Sequence, residues 1–74
     1  MERVGWWWNR KYGRLARRDV MIYHDGAGHW QVQARQGGVE GRLHSQDVTD
    51  ERQAHEVAAR FMAASTVDNW RDML

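Results

Sequence analysis

The stretch Val20-Met21-Ile22-Tyr23-His24-Asp25-Gly26-Ala27-Gly28-His29-Trp30-Gln31-Val32-Gln33-Ala34-Arg35-Gln36-Gly37-Gly38 decides the fold. In an extended chain Val20, Ile22 and His24 point one way, and Met21 and Tyr23 the other. The segment 25–28 is short and rich in glycine, as a hairpin turn requires. From His29 to Gln36 the alternation continues. Trp30, Val32 and Ala34 face inward, and Gln31, Gln33 and Arg35 face outward. Gly37-Gly38 permits a second tight reversal, which predicts a third strand over Val39–Gln46. Its inner face would carry Val39, Gly41 and Leu43, and its outer face Glu40, Arg42 and His44. A period of two with one polar face implies an antiparallel sheet covered on one side.

After residue 46 the period changes. Thr49 or Asp50 suits a helix N-cap, and Glu51 suits the positive end of the helix dipole. Ala54, Val57, Ala58, Phe61 and Met62 then form an apolar stripe at helical spacing. Glu56 and Arg60 stand four apart on the polar side, in the favourable order for an ion pair. The tail from Val67 to Leu74 either extends this helix or restarts after Ser65-Thr66, with Trp70, Met73 and Leu74 packing back. The expected fold is α+β: a three-stranded antiparallel meander packed on one C-terminal helix. It fills a single small domain, with a basic aromatic segment at 1–18, the sheet at 19–46 and the helical region at 49–74. At 74 residues such a domain buries only about 60% of the surface its unfolded chain exposes.

Upstream of the sheet lies the least ordinary segment. Trp6, Trp7 and Trp8 are consecutive, in a chain with five tryptophans in all. Either a strand or a short helix accommodates them, and in neither do all three share one face. Charge is uneven as well. Residues 1–18 carry six cations against Glu2, a net of +5. Residues 19–74 carry five arginines against nine carboxylates, a net of −4, so the overall +1 conceals a polarised chain. Ten of the eleven cations are arginine, which suits phosphate recognition and equally follows from a GC-rich coding bias.

Trp7 and Trp8 with Arg10, Lys11, Arg14, Arg17 and Arg18 form the strongest candidate site. Rings among cations suit a nucleic acid, whose bases stack while its phosphates are neutralised. The same mixture suits an anionic membrane surface. It also suits a chain that uses tryptophan to enlarge a small core. The polar sheet face, with Gln31, Gln33, Arg35, Arg42 and His44, is the second candidate, because Gln and Arg pair with base edges. Any solvated sheet face carries similar residues.

Other chemistry has little support. The chain has no cysteine, hence no disulfide, thiolate ligand or thiol nucleophile. His24, Asp25 and His29 include plausible zinc ligands, but no fourth ligand accompanies them, so no metal or other cofactor is expected. The serines stand outside any nucleophile motif, and the glycines make no phosphate loop. Neither a signal peptide nor an apolar run near the ~20 residues of a membrane span is present, so a cytoplasmic location is the expectation.

The run from Asp25 to Arg35, with Gly41-Arg42 and Val48-Thr49-Asp50-Glu51-Arg52-Gln53-Ala54, resembles a known pattern. It is similar to the small three-stranded DNA-binding domains at the N-termini of phage-type integrases and in plant AP2-type transcription factors. Those domains show a Gly-x-Trp on a central strand, a Gly-Arg turn or strand, and a Thr-x-x-x-Ala entry to the covering helix. The resemblance spans about residues 20–64. It implies that Gln31, Gln33, Arg35, Arg42 and His44 face the DNA major groove.

The expected function is therefore a small non-catalytic binding module for nucleic acid, DNA first, using the basic Trp/Arg segment and the polar sheet face. The alternative is a protein-interaction or homodimerisation module anchored by exposed tryptophans. An anionic membrane-surface adaptor is the third reading. No enzyme activity and no small-molecule substrate are expected.

Overall fold

The computed structural model describes residues 1–38, 41–64 and 69–74. The elements are β1 (Glu2–Trp8), β2 (Arg18–His24), β3 (Trp30–Gln36), β4 (Arg42–Val48), α1 (Glu51–Ala63) and β5 (Arg71–Asp72). All pairings are antiparallel, and the sheet order is β4-β3-β2-β1-β5. The α+β class, the meander and the single covering helix are as expected. Two strands extend the sheet: the tryptophan run forms β1, and the tail returns as β5 rather than as helix. Val39, Glu40 and the stretch 65–68, where parts of the third strand and the tail were expected, lie outside the described residues.

The core lies between the helix and the inner sheet face. Val20, Ile22 and Val32 meet Ala54, Val57 and Ala58 there, all buried. Each fully buried Val or Ile contributes about 1.5–3 kcal/mol relative to exposure. Trp7, Trp30, Trp70, Phe61 and Met62 close the margins of this cluster. The helix begins where expected. Asp50 is the N-cap, and its carboxylate accepts the Gln53 backbone N–H at 2.8 Å. The Gln53 side chain reaches back and accepts from the Thr49 N–H and hydroxyl. The surface ion pair differs from expectation: Glu56 pairs with Arg52 at 2.8 Å, not with Arg60.

β4 requires a correction. The Gly41 N–H donates to the Gly38 carbonyl at 3.1 Å, and the described strand runs from Arg42 to Val48. The register pairs Ala34 with His44 and Gln36 with Arg42. Arg42 and His44 therefore lie on the helix side, and the His44 ring meets Phe61 edge-on at 5.5 Å. Leu43 turns to the open face and is 52% exposed. In a strand, an odd shift of phase exchanges every inward side chain for an outward one.

β1 contains a bulge at Val4, between the pairs Arg3–Tyr23 and Gly5–Ile22. Gly5 then leaves room for the Trp7 indole, since a β-carbon at position 5 would sit 3.0 Å from that ring. Trp7 thus packs on the helix side, edge-on to His55 at 6.1 Å. Trp6 and Trp8, paired with Met21 and Asp19, lie on the open face.

Candidate polyanion interface

The antiparallel register sorts charge between the two ends of the sheet. Arg10, Lys11, Arg14 and Arg17 occupy the β1–β2 loop, and Arg18 opens β2. Arg35 closes on the same end of β3, Arg42 starts β4 beside Gln36, and Arg71 pairs with Trp8. Eight of the eleven cations of the chain thus share one end. Glu2, Asp25, Asp47, Asp50 and Glu51 lie at the opposite end or on the turns there, while Asp19 and Asp72 stay at the basic end. The polarity along the sequence becomes a polarity along the strands.

The basic loop is pinned from beneath by Asn9, which is 1% exposed. Its amide donates to the Ala16 carbonyl at 2.8 Å. Its side-chain oxygen accepts the Arg18 N–H at 2.9 Å and the Lys11 N–H at 3.3 Å. Trp8 adds a hydrogen bond from its indole N–H to the Lys11 carbonyl at 3.0 Å. On the other side the loop rests on the β3–β4 turn, where the Gly37 N–H donates to the Arg17 carbonyl at 2.8 Å. The loop therefore holds a defined shape, and it displays Tyr12 at 76% and Leu15 at 91% exposure among its cations.

A buried carboxylate organises the adjoining open face. Asp19 is 5% exposed, and it accepts the Trp6 indole N–H at 2.8 Å and the Arg17 Nε–H at 2.9 Å. The hydrogen bond to Asp19 holds the Arg17 guanidinium above its ordinary pKa, against the opposing pull of burial. Arg17 also lies over the Trp8 ring at 5.2 Å, and Arg3 over the Trp6 ring at 4.2 Å. Arg3, Trp6, Arg17, Asp19, Met21 and Arg35 line a hollow there. The Arg35 side chain makes no hydrogen bond or ion pair among the described residues.

The predicted site residues thus divide into three sets. Arg10, Lys11, Arg14 and Arg17 gather on one loop, with Trp8 buried beneath it and stacked edge-on to Tyr12 at 5.0 Å. Gln31, Gln33 and Arg35 share the open face, as expected. The two glutamines are engaged, however: Gln33 donates to Gln31, and Gln31 donates to Asp47. Arg18, Arg42 and His44 turn to the helix side, where they border a groove of about 490 Å³ floored by Val20 and Ala34 and walled by Phe61 and Trp70. Of the five residues that the integrase-type resemblance directs toward DNA, three lie on the open face and two do not. Trp7 is withdrawn from the site into the core margin.

No tryptophan is fully exposed: Trp8 is buried, and Trp6, Trp7, Trp30 and Trp70 are half-buried. The exposed large hydrophobic side chains of the N-terminal third, beyond Met1 and Val4, are Tyr12 and Leu15, which composition did not single out. Asn9 and Asp19 were also missed. A signal existed for both, since Asn9 sits where a strand meets a turn and Asp19 is the lone carboxylate in 3–24.

At the acidic end, His24 stacks flat on Trp30 at 3.9 Å, and His29 sits between Asp25 and Asp47 at 3.7 and 3.6 Å. Among the described residues no three potential ligands converge on a metal-binding geometry. Among the same residues no helix is long and apolar enough to cross a membrane. No protein-family model matches the chain, and no curated protein or solved structure shows significant similarity to it.

Proposed function

We infer that this protein is a non-catalytic module that binds nucleic acid through the basic end of its sheet. The observation that supports this reading is the gathering of cations from the β1–β2 loop, β2, β3, β4 and β5 at one end of the sheet, where the loop also exposes a tyrosine. A cationic surface of this kind attracts phosphates by counterion release, and an exposed ring offers a stacking surface for an unpaired base. Because the loop is pinned by Asn9, its cations are already arranged, and binding spends little on ordering them. The contact surface favoured by the geometry is the loop and the Arg35 hollow rather than the centre of the open face. There Gln31 and Gln33 are tied to each other and to Asp47.

The test is titration with short duplex and single-stranded DNA at two salt concentrations. Binding should weaken steeply as salt rises, and Arg10→Ala or Arg42→Ala should each reduce affinity across all sequences. Tyr12→Ala should weaken single-strand binding more than duplex binding. Absence of binding at low salt, or binding indifferent to salt, overturns the reading.

The exposure of Leu15 favours a second reading, in which the same loop anchors a protein partner. Leu15→Ser separates the two, because it leaves the salt-dependent DNA contact intact and weakens a protein contact.

A further inference from the structure

The two edges of the sheet are finished differently. The chain closes the β1 edge itself: β5 pairs with Trp7 and Trp8, and the Met73 N–H donates to the Trp6 carbonyl at 2.8 Å. Nothing among the described residues pairs with the outer edge of β4. Its register against β3 runs from Trp30–Val48 to Gln36–Arg42 without a bulge, so the strand is regular for seven residues. Natural edges are guarded by proline, lysine, a bulge or a covering element. β4 has neither proline nor lysine, its charges stand only toward its ends at Arg42 and Asp47, and Arg42–Asp47 are all exposed, since the helix rests chiefly on β2 and β3. An edge of this kind is a template for another strand.

We propose that the β4 edge pairs antiparallel with β4 of a second copy, about a two-fold axis at Ser45, to give a symmetric dimer with a continuous sheet. The charge distribution selects this occupant. A two-fold axis across antiparallel strands reverses the partner, so the basic end of each copy lies beside the acidic end of the other. Arg42 faces Val48 of the second copy, next to the Thr49-Asp50 helix cap, and Leu43 faces Asp47 of the second copy. In this register neither Arg42 nor Asp47, the formally charged residues of the strand, stands opposite its own image, because only Ser45 lies on the axis. A contact made chiefly of one strand pair falls below the roughly 1,200 Å² of a stable interface, so the dimer forms at micromolar concentrations or above.

Sedimentation velocity from micromolar to millimolar concentrations tests this, with circular dichroism to verify folding. The expected result is a reversible rise from the 8.8 kDa monomer toward twice that mass. Ser45→Lys sets two cations against each other at the axis, on a residue exposed in the monomer, and should weaken the dimer about tenfold or more. Arg42→Glu should also weaken it, and raised salt should lower the association of the unmodified protein. Leu74→Ser, exposed beside β5 at the opposite edge of the sheet, should leave it unchanged. A monomer at every concentration overturns the proposal. So does a dimer indifferent to Ser45→Lys, since its contact then lies elsewhere.

Discussion

The Trp6 indole N–H and the Asp19 carboxylate meet at 2.8 Å across β1 and β2, on the sheet face that carries no helix. Asp19 is the hub of that face, because it also receives two contacts from the Arg17 guanidinium. Asp19→Ala leaves a half-buried indole N–H and a guanidinium without their acceptor. The expected loss is about 1–3 kcal/mol in urea unfolding. Asp19→Asn, which keeps an acceptor for Trp6, should lose less. Equal losses would place the stability in the charge rather than in the indole hydrogen bond.

Asn9 should matter more than an asparagine at a strand end ordinarily does. Its side chain satisfies three backbone groups, and alanine leaves them unpaired beneath the loop. Asn9→Ala is expected to cost about 1–3 kcal/mol. It should also speed amide exchange at Arg18 and Lys11. Unchanged exchange at both amides would show that the loop is held by other contacts.

Gly37 and Gly26 both have positive φ, 90° and 82°, yet their surroundings differ. A β-carbon at Gly37 would lie 2.7 Å from the Arg14 carbonyl oxygen, whereas at Gly26 it would meet nothing within 4 Å. Both alanine variants pay the backbone cost, and Gly37→Ala alone pays the collision. It should be the less stable of the two by about 1 kcal/mol or more in urea unfolding. Equal stability would show that the basic loop can move off the turn freely.

The β2–β3 turn supplies a pH dependence. Backbone N–H groups of Ala27 and His29 donate to the Asp25 carboxylate, and these hydrogen bonds, that from Ala27 foremost, hold its pKa below the ordinary 3.8. A depressed folded-state pKa contributes stability above the unfolded value, and that contribution is lost as pH falls through the folded value. Wild-type stability should therefore fall with acidification below about pH 4 more steeply than that of Asp25→Asn. Parallel curves for the two proteins would remove Asp25 from the acid response.

The hairpin of β2 and β3 was legible because Val20–His24 and Trp30–Gln36 each alternate and the turn between them is marked by glycines. The helix was legible because its cap, stripe and dipole residues agree. β4 was misphased for a physical reason. Gly37 and Gly38 permit a reversal of several lengths, and the alternation of Arg42–Val48 is too weak to choose among them. The tail was read as helix because Trp70 and Met73 lack a strand pattern of their own. It became β5 through pairing with the β1 edge, a partner more than sixty residues away in sequence.

The candidate site divides along the same line. Local order in the sequence determined that the chain has a polarised charge, an antiparallel sheet and one amphipathic helix. Such properties depend on neighbours two to four residues apart. Only the tertiary structure decided which tryptophans are core and which cover the open face. It alone brought Arg35, Arg42 and Arg71 to the loop of Arg10 and Arg14. Register between distant strands sets these placements, and register is fixed by packing across the sheet rather than by any single segment.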